Sequence, residues 1–485
     1  MLGGSSSINW MVYVRGVEED FEEWASFGNP DWNYDGVLPF FKKSEGNQNE
    51  SLVNYDGGKY HSATGPVKIT SNTPSSFFTA ITEAYRESGV PIISDINADE
   101  GIGITLLQSS TYNGTRYSTA EAFLVPAKGR PNLHVVKHAH VDSIVLDENN
   151  RATGVKFTYK SSRKITATTK KEVIISGGTV LSPAILMRSG IGPKKHLKER
   201  NIQPRVDLPV GDNFKDHPCI VLKISLNIST TSISPTFELD SLYEYVQNNS
   251  GALTTYPILS GCLNTENNTD GPPDHQLILA LLPKGSTASS IKTLNTVMNI
   301  EKWTDEEAKF NAQFDVLSMI ITLIKPKSTG TIRLNNCTSC QEVLIDSQYL
   351  SDPDDRARAI KAIQHQVALL ETQPFQKLGA TLQRIPLEKC DHLEFKSAAY
   401  WDCYITYFSF PGSHMVGTSR MGNGTNAVVD SRCRVHKTKG LRQIDAGIVP
   451  DSMRANTNAV SMMVGEKCSE LVKEDYGRSS AASNS

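Results

Sequence analysis

Residues 172–193 read Glu172-Val-Ile-Ile-Ser176-Gly-Gly-Thr179-Val-Leu-Ser182-Pro183-Ala-Ile-Leu-Met187-Arg-Ser-Gly190-Ile-Gly-Pro193. The first five residues form a short, nearly continuous apolar run, as expected of a strand covered on both faces. Gly177-Gly178-Thr179 predicts a tight turn. Ser182 is placed to cap a helix and Pro183 suits its first position. Ala184 to Met187 continue that helix, and Gly190 supplies a left-handed stop. A strand feeding a glycine turn and a helix leaves free amides at the helix N-terminus, where a phosphate or a flavin can sit. On local features alone the stretch fits an ordinary strand-to-helix connection equally well.

Upstream, Asn132 to Val141 is rich in β-branched residues, Asp147 to Gly154 is a turn cluster, and Val155 to Tyr159 returns. This predicts a β-meander. At the N-terminus Gly3-Gly4 and Ser5 to Ser7 form a loop that can lie against an anion. Helical segments are expected from Asp20 to Trp24 and from Asp35 to Lys43. Downstream, Cys219 to about Lys327 reads as irregular, the loop-rich part of a substrate domain. Strands resume from Thr329 to Asp346. A helix is expected from Asp352, a natural cap, to Leu370, with Ala357, Ile360, Ile363 and Val367 at helical spacing. A last helix over 459–474 places Val460, Met463, Val464, Cys468 and Leu471 on one face, a core stripe.

The chain has 485 residues, enough for one large or two medium domains, and a formal net charge of −3. Its basic residues are scattered, which disfavours a nucleic-acid surface. No apolar run approaches the roughly 18–20 residues of a membrane span. No signal peptide precedes the loop at Gly3 in the chain as written. Of the eight cysteines, Cys337 and Cys340 are the close pair, too few for a zinc site and read as a local disulfide or two thiols. No metal is expected. Asn-x-Ser/Thr sites at Asn49, Asn113, Asn227, Asn248, Asn267, Asn336 and Asn423 permit secretion. The tail from Gly477 to Ser485 reads as disordered.

His414 lies in the run Ser413-His-Met-Val-Gly-Thr-Ser-Arg-Met-Gly-Asn423, and Asn456-Thr-Asn458 opens the last helix. Four stretches together resemble the glucose-methanol-choline (GMC) oxidoreductases, most closely an arthropod glucose dehydrogenase-like branch. They are Gly3 to Gly16 with Asp20-Phe-Glu-Glu-Trp24, Ser176 to Pro193, Val210-Gly-Asp-Asn213-Phe-Lys-Asp216-His217-Pro218, and His414 through Asp430, His436, Arg442, Asp445 and Pro450 to Asn458. The order and spacing agree over nearly the whole chain.

The resemblance implies an α/β fold, in which a Rossmann-like FAD-binding domain is interleaved with a substrate domain built on an antiparallel sheet flanked by helices. Residues 1–40, 128–218 and 427–476 would form the first, and 41–127 and 219–426 the second. It implies oxidation of a CH–OH group of an alcohol or sugar. His414 would take the hydroxyl proton, Asn458 would hold the substrate oxygen, and hydride would pass to flavin N5. An imidazole titrates near neutral pH, which suits that role. Gly4, Ser5, Asn9, Val12, Val141, Asp445, Ala446, Ala459 and Val460 would contact FAD. Ile8 stands where some relatives bond FAD through a histidine, so the cofactor is expected to be non-covalent. His217 is expected to fix a turn, leaving His414 as a lone base. The electron acceptor would be a quinone or oxygen.

One departure is large. The family's opening strand, Gly-x-Gly-x-x-Gly turn and helix, which hold the FAD pyrophosphate, have no counterpart upstream of Gly3. The expectation is a truncated reading frame, with Met1 an internal methionine, secretion of the full-length form, and poor solubility and weak FAD binding for a protein starting at Met1. The alternative is a catalytically inactive, secreted interaction protein that keeps the fold.

Overall fold

The computed structural model describes residues 1–71, 76–98, 101–227, 239–249, 258–265, 271–298, 300–336 and 343–477. Cys337, Cys340 and residues 478–485 of the tail lie outside these.

The stretch read first forms a strand, Val173–Ile175, and a helix, Gly178–Arg188. The strand pairs in parallel with Leu441–Gln443. The helix starts at Gly178, five residues earlier than a Ser182 cap with Pro183 at the first position predicts. Its first amide, Gly178 N, donates to the Asp445 carboxylate at 3.0 Å, so the cap comes from a distant segment. Ser182 Oγ instead accepts from Gly177 N and donates to the same carboxylate. Pro183 therefore sits inside the helix, where it removes the bond to the Thr179 carbonyl. Thr418 Oγ1 donates to that carbonyl at 2.6 Å and replaces the lost bond. Gly190 takes the expected left-handed conformation at φ 83°.

The meander forms from Ala139–Leu146, Ala152–Tyr159 and Arg163–Thr168. Its first strand begins later than the β-branched run predicts. Leu133, Val135 and Val136 are solvent-exposed and outside the ladder. They have β propensity, but among the described residues no neighbouring strand gives them one to join. Met1, Leu2, Ile8, Ile174 and Leu181 are exposed as well.

The span 219–327, read as irregular, supplies most of a seven-stranded antiparallel sheet. Its path is Thr381–Leu382, Pro218–Leu226, Asp315–Leu323, His275–Leu282, Ile258–Leu263 and Gly103–Leu106, with Ser409–Pro411 also pairing with Pro218–Leu226. Three of these strands are buried along their whole length. Lys223, Gln276 and Ser318 on these strands and Ser260 on Ile258–Leu263 are buried too and interrupt any apolar alternation. Helices Pro353–Leu370 and Ala398–Phe408 pack on the sheet, and Tyr404 Oη donates to the Val221 carbonyl at 2.7 Å. Asp352 caps the first of them as expected, accepting from Asp354 N at 2.8 Å.

The predicted N-terminal helices form as Glu18–Ser26 and Tyr34–Ser44, and the last helix as Thr457–Asp475. Val460, Met463, Val464 and Cys468 of the last helix are buried. Cys468 is disulfide-bonded to Cys433, and Cys390 to Cys403. A buried ionic network holds the extended segment before the first helix. Arg15 Nη2 meets Glu45 Oε2 at 2.7 Å, and His61 bridges Glu45 Oε1 at 2.8 Å and Asp95 Oδ2 at 2.6 Å. Burial opposes charge on His61, but its bonds to Asp95 and Glu45 outweigh burial and raise its pKa. This network fixes residues 12–15, and Val12 at their head lines the site below.

Candidate active site

A cavity of about 330 Å³ opens between the large sheet, the N-terminal loop and the start of the last helix. The sheet supplies one wall. Cys219 is registered with Thr322 and with Phe410, and Ile278 with Ile320. Residues directly opposite one another on a sheet share a face. These five side chains therefore meet in one mainly apolar wall. Burial pushes the Cys219 thiol up to about 12, so it is no nucleophile at neutral pH. Ser5, Ile8, Asn9 and Val12 form the second wall. His414, Asn456 and Asn458 complete it.

The loop carrying His414 is tied at several points. Gly412 N donates to the His217 carbonyl at 2.8 Å, and His414 N donates to Asp216 Oδ1 at 2.6 Å. Asp216 Oδ1 also accepts from His217 N at 2.8 Å, and Oδ2 from Tyr349 Oη at 2.5 Å. Burial raises the Asp216 carboxyl to about 6. Gly417 has φ 88°, and a Cβ there would lie 2.4 Å from the Asn213 carbonyl oxygen. Only glycine fits that approach, which lets the loop cross residues 213–216.

The His414 ring is half-buried, with its cavity side still reachable. Burial lowers its pKa to about 4. It is therefore neutral at physiological pH, as a proton acceptor must be. His217, expected to fix a turn, also touches the His414 ring: its Nδ1 lies 3.0 Å from His414 Nδ1, and its Nε2 lies 2.9 Å from Ser452 Oγ. Burial and the neighbouring His414 hold its pKa well below the usual value. His414 is thus one of two contacting imidazoles.

Asn458 lines the cavity, and its Nδ2 donates to the Val12 carbonyl and Ser110 Oγ, both at 3.3 Å. Asn456, which the sequence alone leaves without a role, is the residue bonded to the His414 ring: Nδ2 lies 2.9 Å from His414 Nε2. Asn456 is the residue before the last helix but makes no side-chain cap. The amides of the first helical turn, including Asn458 and Ala459, are thus left for a ligand.

These features test the fit of a flavin. The Gly3-Gly4 turn has φ 86° and 57°, and a Cβ on Gly4 would meet open space. Asn9 is held by Arg116 Nη1 at 3.0 Å and supports Met11 N at 2.9 Å. A glycine turn, uncapped helix amides and fixed amide side chains suit the polar edge of an isoalloxazine ring. Ala459 and Val460 are buried behind the helix start. The Asp445 carboxylate is taken up by Gly178 N, Ser182 Oγ, Gln443 Nε2 and Gly447 N. Only the turn it fixes, with Ala446, is left to meet a cofactor. Val141 lies outside the cavity, on the meander strand, and its carbonyl accepts from Arg188 Nη2 at 3.2 Å. The described residues fit the flavin end; they build no cradle for the pyrophosphate. No group of three metal-ligating side chains occurs among the described residues. No described helix is long and apolar enough to cross a membrane.

The family profile for GMC oxidoreductases matches residues 1–219 with its N-terminal part and 326–465 with its C-terminal part. The glucose dehydrogenase [FAD, quinone] of Drosophila pseudoobscura pseudoobscura is 33% identical over 489 residues, covering 98% of this chain and 74% of the relative. The ecdysone oxidase of Bombyx mori is 30% identical over 487 residues, covering 100% of this chain and 71% of the relative. Among solved structures, a formate oxidase superposes with a TM-score of 0.84 at 22% identity, covering 98% of this chain and 84% of that one. Pyridoxine 4-oxidase from Mesorbium loti gives 0.77 at 22% identity, covering 97% and 83%. With its family profile matched at both ends and its fold shared, the chain belongs to the GMC oxidoreductase family.

Proposed function

We propose that this protein is an FAD-dependent oxidoreductase of an alcohol or sugar CH–OH group, with His414 as the general base. The observation that carries the reading is a neutral imidazole on the wall of a cavity that also holds Asn458 and uncapped helix amides. Non-covalently bound FAD would supply the hydride acceptor. Ile8 lines the cavity and offers no atom for a covalent bond to it. His414 Nε2 takes the hydroxyl proton, and the electron pair of the broken O–H bond stays on the substrate oxygen. Asn458 orients that oxygen, and the apolar sheet wall keeps water from the reacting carbon. Gly4, Ser5, Asn9 and Val12 hold the flavin end, with Ala459 and Val460 behind it.

The same reading assigns 1–40, 128–218 and 427–476 to the cofactor domain and 41–127 and 219–426 to the substrate domain. A quinone or oxygen takes the electrons. Secretion is supported by the two disulfides and by the exposed Asn113-Gly-Thr turn. One observation favours a second reading, a non-catalytic interaction protein: the exposed apolar residues Leu133, Val135, Val136, Ile174 and Leu181.

Titration of the purified chain with FAD, followed by anaerobic mixing with alcohols and aldoses, separates the two. Saturable binding and substrate-dependent bleaching of the flavin absorbance support the first. Saturable FAD binding without bleaching by any alcohol or aldose supports the second.

A further inference from the structure

Hydrogen bonds run from the large sheet into the base in one direction. The Leu277 carbonyl can only accept, so Ser260 Oγ, 3.1 Å away, spends its proton there. Ser260 Oγ must then accept from Gln276 Nε2 at 3.2 Å. That fixes the Gln276 amide, whose second N–H reaches Asn456 Oδ1 at 3.0 Å. Turning this amide over would leave both its N–H groups without an acceptor in a site 1% exposed. Orphaning two buried donors costs more than leaving one carbonyl oxygen, Gln276 Oε1, unpaired as it is here. With Oδ1 taken, Asn456 turns Nδ2 to His414 Nε2 at 2.9 Å and donates. Nε2 therefore carries the lone pair and Nδ1 the proton. His414 Nδ1–H donates to His217 Nδ1 at 3.0 Å, and His217 Nε2–H to Ser452 Oγ at 2.9 Å.

We infer that Gln276 and Asn456 are positioning residues that set the tautomer of His414, with a backbone carbonyl of the sheet as the fixed end of the chain. The sheet register makes this feasible. Ser260 pairs with Ile278, and Gln276 with Thr322, so both side chains project from the face that walls the cavity. The proton positions stand independently of any activity. Their catalytic consequence rests on the reading proposed above. An arriving hydroxyl displaces the Asn456 amide from Nε2 and gives its proton there. The O–H bond breaks, an N–H bond forms, and the electron pair stays on oxygen. The freed Asn456 N–H then faces that oxygen. His217, holding His414 Nδ1–H, shares the positive charge that results.

The test is nitrogen-15 NMR of histidine-labelled full-length chain near neutral pH, with the His414 ring assigned by its loss in His414→Gln. The expected pattern is a protonated Nδ1 and an unprotonated Nε2 at His414. A protonated Nε2 would overturn the inference. Gln276→Glu supplies the reversal. Its carboxylate accepts from Asn456 Nδ2, turns Asn456 Oδ1 to the imidazole, and draws the proton to Nε2. The two ring signals should exchange character, and in FAD-loaded protein kcat should fall by about a hundredfold with KM little changed. Unchanged ring signals in a folded Gln276→Glu protein would also overturn it. If that variant does not fold, the unmodified protein's tautomer decides alone. A protein with the predicted tautomer but no alcohol oxidation refutes the proposed function and leaves this inference standing.

Discussion

Replacing Asp216 by alanine removes the carboxylate that joins the His217 turn to the His414 loop. Three donors lose their acceptor: His217 N, His414 N and Tyr349 Oη. An orphaned buried donor costs about 1–3 kcal/mol, so the three together cost about 6 kcal/mol. Part of this is recovered, because the carboxylate is itself 4% exposed and held uneasily. The rise of its pKa from 3.8 to about 6 means that its charge costs about 3 kcal/mol above pH 6. The net loss at pH 7.5 is thus about 3 kcal/mol. Asp216→Asn behaves differently. Its oxygen still accepts both amides, and Tyr349 Oη turns to accept from the new NH₂. It should lie within about 1 kcal/mol of the unmodified protein at pH 7.5. The folded carboxyl binds its proton more tightly than the unfolded one. Its stabilising contribution is therefore full below pH 3.8 and lost as pH rises through about 6. Any advantage of the asparagine should shrink as pH falls through 6. Urea unfolding followed by tryptophan fluorescence measures all three proteins. An asparagine as damaging as the alanine, or a harmless alanine, would refute this account of the loop.

Acid should destabilise the base pair itself. The His414 pKa is depressed from 6.5 to about 4, so its contribution is present above pH 6.5 and lost as pH falls toward 4, by at most about 3 kcal/mol. His414→Gln should flatten the dependence of stability on pH in that window; an unchanged slope would count against a neutral buried imidazole. Arg15→Met strands Glu45 in the core and should cost about 3–5 kcal/mol in the same urea assay, whereas a loss under 1 kcal/mol would show the network is not held by that pair. Converting Cys433 and Cys468 to serine opens a closure of 35 residues and should cost about 3–4 kcal/mol, visible as a lower thermal midpoint.

The parts legible in sequence were those where one local rule governs. The Asp352 cap, the stripe of the last helix and the glycine at 190 follow from neighbouring residues alone. The large sheet was not legible. Its central strands are covered on both faces and carry buried Lys223, Ser260, Gln276 and Ser318, so no period of two survives. Their partners lie up to 193 residues away, as for Pro218 with Pro411. The start of the helix at 178 was missed because its cap, Asp445, is 267 residues distant. At the site, His414 and Asn458 were placed by motif resemblance, and both line the cavity. His217 and Asn456 were missed because their roles come from contacts 197 and 42 residues apart in sequence. Spacing along the chain carries no trace of such contacts.

The central claim is that His414 takes the substrate proton. FAD-loaded His414→Ala, mixed anaerobically with a reducing alcohol or sugar, tests it most directly. The account predicts that flavin stays bound while the rate of its reduction falls by roughly 10²–10⁴. Reduction at a near-normal rate with flavin retained would contradict it.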